Sequence, residues 1–93
     1  MVSRIPPDVV AAVAERADGM CEMGRDCRDP GSQSWAFHHR RAYQTGATSR
    51  ARTVALNVPE NLLLLHTRCH EWVHQHPLWA RERGYIVSQY NPL

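Results

Sequence analysis

Lysine is absent from this sequence of 93 residues, and all eleven basic side chains are arginine. A GC-rich coding sequence would produce that bias. It also suits planar, bidentate contact with phosphate. Long apolar runs are missing too. The leucine run from Leu62 to Leu65 spans four residues, far short of the roughly 20 that a membrane helix needs. Val2-Ser3-Arg4-Ile5-Pro6-Pro7 lacks the apolar stretch of a secretory signal. These absences lead us to expect a soluble protein with no membrane partner, retained in the cytoplasm. No internal repeat and no domain boundary is visible, so residues 1–93 are expected to form one small domain. Such a domain buries only about two-thirds of its unfolded surface, and a thin core of this kind gains from a metal or disulfide staple. A composition of 43% hydrophobic and 22% charged residues excludes a wholly disordered chain.

The six histidines all fall between His38 and His76, and clustered imidazoles point to metal or acid–base chemistry. Charge is uneven along the chain. Residues 31–70 carry Arg40, Arg41, Arg50, Arg52 and Arg68 against Glu60 alone, while residues 1–30 are net acidic. The basic segment is therefore the histidine-rich one, and a positive zone around a metal site suits a phosphate substrate.

Pro6-Pro7-Asp8 followed by Val9 to Ala17 reads as a helix, with Pro and Asp8 suited to its first turn, Gly19 as its stop and Val9, Val13 and Ala17, with Val10 and Ala14, as an apolar stripe. Residues 20–34 read as a loop carrying Cys21 and Cys27. Ser34 to His39 reads as a strand. Residues 42–57 lack periodicity and form a long loop, a length usually tied to function. Asn61 to Leu65 could be strand or helix; Pro59 and the short length favour a buried strand. Arg68 to Gln75 reads as a helix, Leu78 to Arg83 as a further turn or two, and Tyr85 to Ser88 as a final strand.

His70 and His74 are four apart on the expected helix, so both imidazoles lie on one face within reach of one ion. His38-His39 ends the first strand, where neighbours point to opposite sides. Asn61 lies nine residues before His70. In this order the residues resemble the HNH nuclease family of the ββα-metal fold, most strongly from His38 to His74. The resemblance implies an α+β finger with an N-terminal helix (1–19), a zinc knuckle plus ββα-metal core (20–76) and a C-terminal extension (77–93). It implies that His38, His70 and His74 bind a catalytic divalent ion and that His39 is the general base; Asn61 matches a residue that in some members orients the loop and the catalytic histidine and in others binds the metal, and the three histidines available here favour the orienting role. It further implies DNA as the partner, with phosphodiester hydrolysis by nicking. Arg40, Arg41 and Arg68 are candidates for holding phosphates. Three imidazoles suit zinc, nickel, cobalt or manganese better than magnesium, although bound phosphate would add oxygen ligands for magnesium.

A second site is expected at Cys21, Cys27, His66 and Cys69. The two-residue interval of His66-Thr67-Arg68-Cys69 is that of a zinc knuckle, and the four residues would make a tetrahedral structural zinc site. Stand-alone proteins of this type are frequent in phages. The resemblance therefore extends to phage DNA processing or packaging beside terminase and portal proteins, in a bacterial host, by a monomer or weak dimer. Two other readings compete. One is a zinc-binding DNA module without catalysis. The other is a metallopeptidase, because His70-Glu71-Trp72-Val73-His74 matches H-E-x-x-H. Trp35, Phe37, Trp72 and Trp79 are expected in the core and His76 at the surface. Tyr43 and Arg50 to Arg52 are expected in the variable loop.

Overall fold

The structure, a computed structural model, describes residues 5–41 and 56–88. Helix α1 spans Pro7–Ala17. The Pro6 carbonyl accepts from Val9 and Val10, both at 3.0 Å, which satisfies two of the free donors of the first turn. Asp18, with φ at 53°, ends the helix one residue before the expected glycine, and Gly19 continues the left-handed turn. Val9, Val13 and Ala17 are the buried stripe.

Strand β1, Trp35–His39, pairs antiparallel with β2, Leu62–His66, in the register Trp35↔His66 through His39↔Leu62. Leucines line both faces of β2, and both faces are used. Leu62 and Leu64 pack with Phe37 against Val9 and Val13 of α1, while Leu63 and Leu65 face the second cluster, built on Cys21, Met23, Cys69, Val73 and Ala80. The period of two along β1 then sends Phe37 toward α1 and His38 toward the other face. The ambiguous apolar run is thus a strand, as a short run buried on both sides should be. One outer contact of β2 goes to a side chain. Glu22 donates its N–H to the Leu64 carbonyl (2.9 Å), and its carboxylate accepts from the Leu64 N–H (2.9 Å). Arg16 grips the same carboxylate through two nitrogens at 2.7 and 2.9 Å, so α1, the cysteine loop and β2 are tied at one point.

Helix α2, Thr67–Gln75, starts directly at the end of β2 and buries Cys69 and Val73, one turn apart. His76, with φ at −131° and ψ at 63°, leaves the helical region before Pro77, where proline disfavours helix in its predecessor. Helix α3, Pro77–Glu82, follows with Ala80 buried. Gly84, with φ at 82°, turns the chain back toward the sheet.

The segment Tyr85 to Ser88 is not a strand. Among the described residues it joins no strand ladder, and its contacts include Val87 N–H to the Arg40 carbonyl (2.9 Å). Trp35 is 37% exposed rather than a core residue. His76 is half-buried, its ring stacked on Trp72 at 3.7 Å between centroids. The expected loop at 42–57 is described only at Leu56 and Asn57. Residues 42–55, with Tyr43, Arg50 and Arg52, lie outside the described residues. Among the described residues no helix is long and apolar enough to cross a membrane.

Candidate metal centres

Two groups of side chains converge. Cys21, Cys27, His66 and Cys69 place one ligand atom each within 4.8 Å of one another, as do His38, His70 and His74.

The first group joins the loop after α1 to the β2–α2 junction. The 3-10 turn Gly24–Asp26 lies between Cys21 and Cys27, and the long interval between those cysteines is taken up there. His66 closes β2, and Cys69 sits buried in the first turn of α2. Cys27 Sγ lies 3.2 Å from His66 Nδ1 and 3.8 Å from Cys69 Sγ. Tetrahedral zinc with Zn–S bonds of about 2.3 Å requires sulfurs about 3.8 Å apart. All three cysteines are free. The backbone N–H of Arg28 donates to Cys69 Sγ at 3.2 Å, a contact suited to thiolate sulfur. Burial pushes the Cys69 thiol up to about 11. Deprotonating it in place therefore calls for a cation beside it. This Cys₃His cluster could hold a structural metal ion such as zinc.

The second group is built across the sheet–helix interface. His38, 1% exposed, faces α2 from β1, and His70 and His74 face it from one side of α2. Ring centroids are 5.1 Å apart for His38–His70, 5.6 Å for His38–His74 and 4.5 Å for His70–His74. The Nε2 atoms of His70 and His74 are 3.0 Å apart. His38 donates Nε2–H to the Tyr85 carbonyl at 2.6 Å, which leaves the lone pair on Nδ1. That Nδ1 is buried without a hydrogen-bond partner. An orphaned, unprotonated nitrogen among two further imidazoles fits a metal ion, and a metal-binding histidine commonly donates its other nitrogen to a carbonyl in this way. Burial pushes His38 down to about 4, with smaller contributions from His70, His74 and His39. His70 is lowered chiefly by burial and next by His74. Neutral imidazole is the form that ligates metals.

His39 ends β1, and its Nε2–H donates to Asn57 Oδ1 at 2.8 Å, placing the basic lone pair on Nδ1. Asn61 does a different task. It is fully buried, its Oδ1 accepts from the Arg41 N–H (2.6 Å), and its Nδ2 donates to the carbonyls of Arg41 (3.0 Å) and Leu56 (2.9 Å). Asn61 thus pins together the two ends of the intervening segment, and Asn57 holds the histidine. Sequence reasoning missed Asn57, which lies in an aperiodic stretch where no spacing marks it.

The three arginines divide. Arg40 spends its guanidinium on the carbonyls of Gly84 (2.8 Å) and Glu60 (3.0 Å). Arg41 is half-buried, with its backbone held on both sides by Asn61. Arg68 is exposed on the first turn of α2 and borders a groove with Asp29, Ser32, Ser34, Thr67 and Glu71.

The fold and these clusters define a small α+β protein with two groups of metal-ligand geometry, one of sulfur and imidazole, the other of imidazole alone. Comparison with protein-family models, with curated proteins and with solved structures returns no match.

Proposed function

We propose that this chain is a metal-dependent DNA endonuclease of the HNH type, with a ββα-metal core formed by β1, β2 and α2. The observation that carries this reading is the buried, unpartnered Nδ1 of His38 beside His70 and His74, with His39 adjacent on the same strand. His38, His70 and His74 would hold the catalytic divalent ion. Bound there, it supplies Lewis acidity toward the phosphate and the departing 3′ oxygen. His39 takes the proton of the attacking water at Nδ1, and the Asn57 bond to Nε2 keeps that nitrogen basic and the ring oriented. Asn61 fixes Arg41 and Leu56, and with them the end of the segment that carries Asn57. Arg68 is the arginine best placed to meet a phosphate from solvent. The Cys₃His cluster holds structural zinc and locks the start of α2.

On sequence resemblance, the setting we propose is phage DNA processing or packaging. The peptidase reading assigns Glu71 as base and leaves the His39–Asn57 pair without a task. The test is a supercoiled-plasmid assay across Mg²⁺, Mn²⁺, Ni²⁺ and Zn²⁺, with EDTA and His39→Ala in parallel. Metal-dependent conversion to open circles, lost in His39→Ala and retained in Glu71→Ala, is expected. Intact plasmid under every metal, with folded zinc-loaded protein, would sink the nuclease reading and leave a DNA-binding zinc module.

A further inference from the structure

Tyr85 touches both clusters through opposite ends. Its carbonyl accepts the Nε2–H of His38 at 2.6 Å. Its hydroxyl donates to Asp26 Oδ2 at 2.8 Å and approaches the Met23 carbonyl at 3.3 Å. Met23 and Asp26 both lie between Cys21 and Cys27, in the loop of the Cys₃His cluster. Arg40 clamps the backbone around Tyr85, binding the Gly84 carbonyl with its guanidinium and the Val87 N–H with its own carbonyl. The ring packs beside Trp79 at 5.7 Å between centroids. Arg83 adds an ion pair to Asp26 at 3.4 Å.

We infer that Tyr85 is a positioning residue that couples the two metal centres: the filled Cys₃His loop fixes its hydroxyl, and its carbonyl holds His38 in the tautomer and orientation that bind the second ion. The inference rests on the proposed ligand role of His38, His70 and His74. The physical path is short. A metal held by Cys21 and Cys27 would fix both ends of the turn that presents Asp26. The Asp26–Tyr85 bond then sets where the ring stands, and the same residue's carbonyl decides how the His38 ring is held. An outer partner of a metal-binding histidine changes affinity by about 10–100-fold when lost outright. Tyr85→Phe keeps the carbonyl and the ring and removes only the tether, so the expected effect lies below that range, at about fivefold.

The experiment uses the full chain with one equivalent of zinc and measures Ni²⁺ and Co²⁺ affinity for the remaining site by calorimetry and by the Co²⁺ absorption spectrum. Tyr85→Phe should weaken Ni²⁺ about fivefold and alter the Co²⁺ spectrum, with zinc still bound one per chain. Asp26→Ala should weaken it similarly. The loss in the double variant should fall well short of the sum of the two single losses, because both changes cut the shared Tyr85–Asp26 bond. Unchanged affinity in Tyr85→Phe, or additive losses in the double variant, would overturn the coupling while leaving the nuclease reading standing. A zinc-loaded native chain that takes up no second ion, with His38→Ala behaving identically, would overturn the three-histidine centre itself and the coupling with it.

Discussion

Replacing Asn61 tests how the site is assembled, and the order of two variants matters more than either alone. Asn61 is 0% exposed and makes three side-chain hydrogen bonds, accepting one and donating two. Asn61→Ala removes all three and strands the Arg41 N–H and the carbonyls of Arg41 and Leu56. At about 1 kcal/mol net per bond the loss is about 3 kcal/mol, a large part of the roughly 5–15 kcal/mol that holds a domain together. The melting temperature should fall by roughly 15 °C. Asn61→Asp is nearly isosteric and keeps the acceptor for the Arg41 N–H. It also turns a carboxylate oxygen toward two carbonyl oxygens now 2.9 and 3.0 Å from the amide nitrogen. Asp should therefore be worse than Ala at neutral pH, despite its closer shape. Urea unfolding of the zinc-loaded chain gives both values. Asp equal to the native residue, or better than Ala, would refute the donor role of Nδ2 and with it the claim that Asn61 joins the segment ends.

Three further expectations rest on the geometry of the site. His38 titrates near 6.5 unfolded and about 4 folded, so between those values the unfolded chain holds more protons, and stability rises with pH across the window and is lost as pH falls through it. The contribution is roughly 3 kcal/mol, so the stability gap between the native chain and His38→Gln, read by urea unfolding, should narrow from pH 6.5 to 4; a gap independent of pH would contradict the burial argument. Arg40→Met should cost about 2 kcal/mol of stability through its two carbonyl bonds and, on the proposed nuclease reading, leave the salt dependence of DNA binding unchanged. Arg68→Ala should leave stability within about 0.5 kcal/mol and lower the slope of log K against log salt by about 1; the reverse pattern would exchange their roles.

The helices and strands were legible where local physics decides them. Pro7 and the Val9–Val13–Ala17 stripe define α1, and the leucine run bounded by Pro59 reads as β2. The members of the two convergent groups were legible from the order of His38, His70 and His74 along the chain and from the two-residue interval between His66 and Cys69. What the sequence left open was set by partners distant along the chain. Tyr85 to Ser88 has the residues of a strand, but the sheet offers it no ladder, so it settles on Arg40 and His38. Arg40 looks like Arg68 in sequence, and only the return of the chain at Gly84 separates a half-buried brace from an exposed cation. Asn57 is one amide in an aperiodic stretch, and its pairing with His39 spans 18 residues.

The direct passage from β2 into α2 leaves no slack between the clusters. His66 and Cys69 belong to one, His70 and His74 to the other, and all lie on one uninterrupted run of backbone. Each residue of a helix advances the azimuth by about 100°. One residue inserted between Cys69 and His70 would therefore swing one ligand pair out of phase with the other. This stretch behaves as a ruler: it accepts changes of letter at exposed Arg68, Glu71 and Gln75, and none of count. The residues on either side of positions 42–55, Arg41 and Leu56, are held by Asn61 independently of that stretch. Doubling the chain length between two held ends costs only about 0.6 kcal/mol in closure entropy, so residues added between Arg41 and Leu56 should leave the phase of the two ligand pairs unchanged.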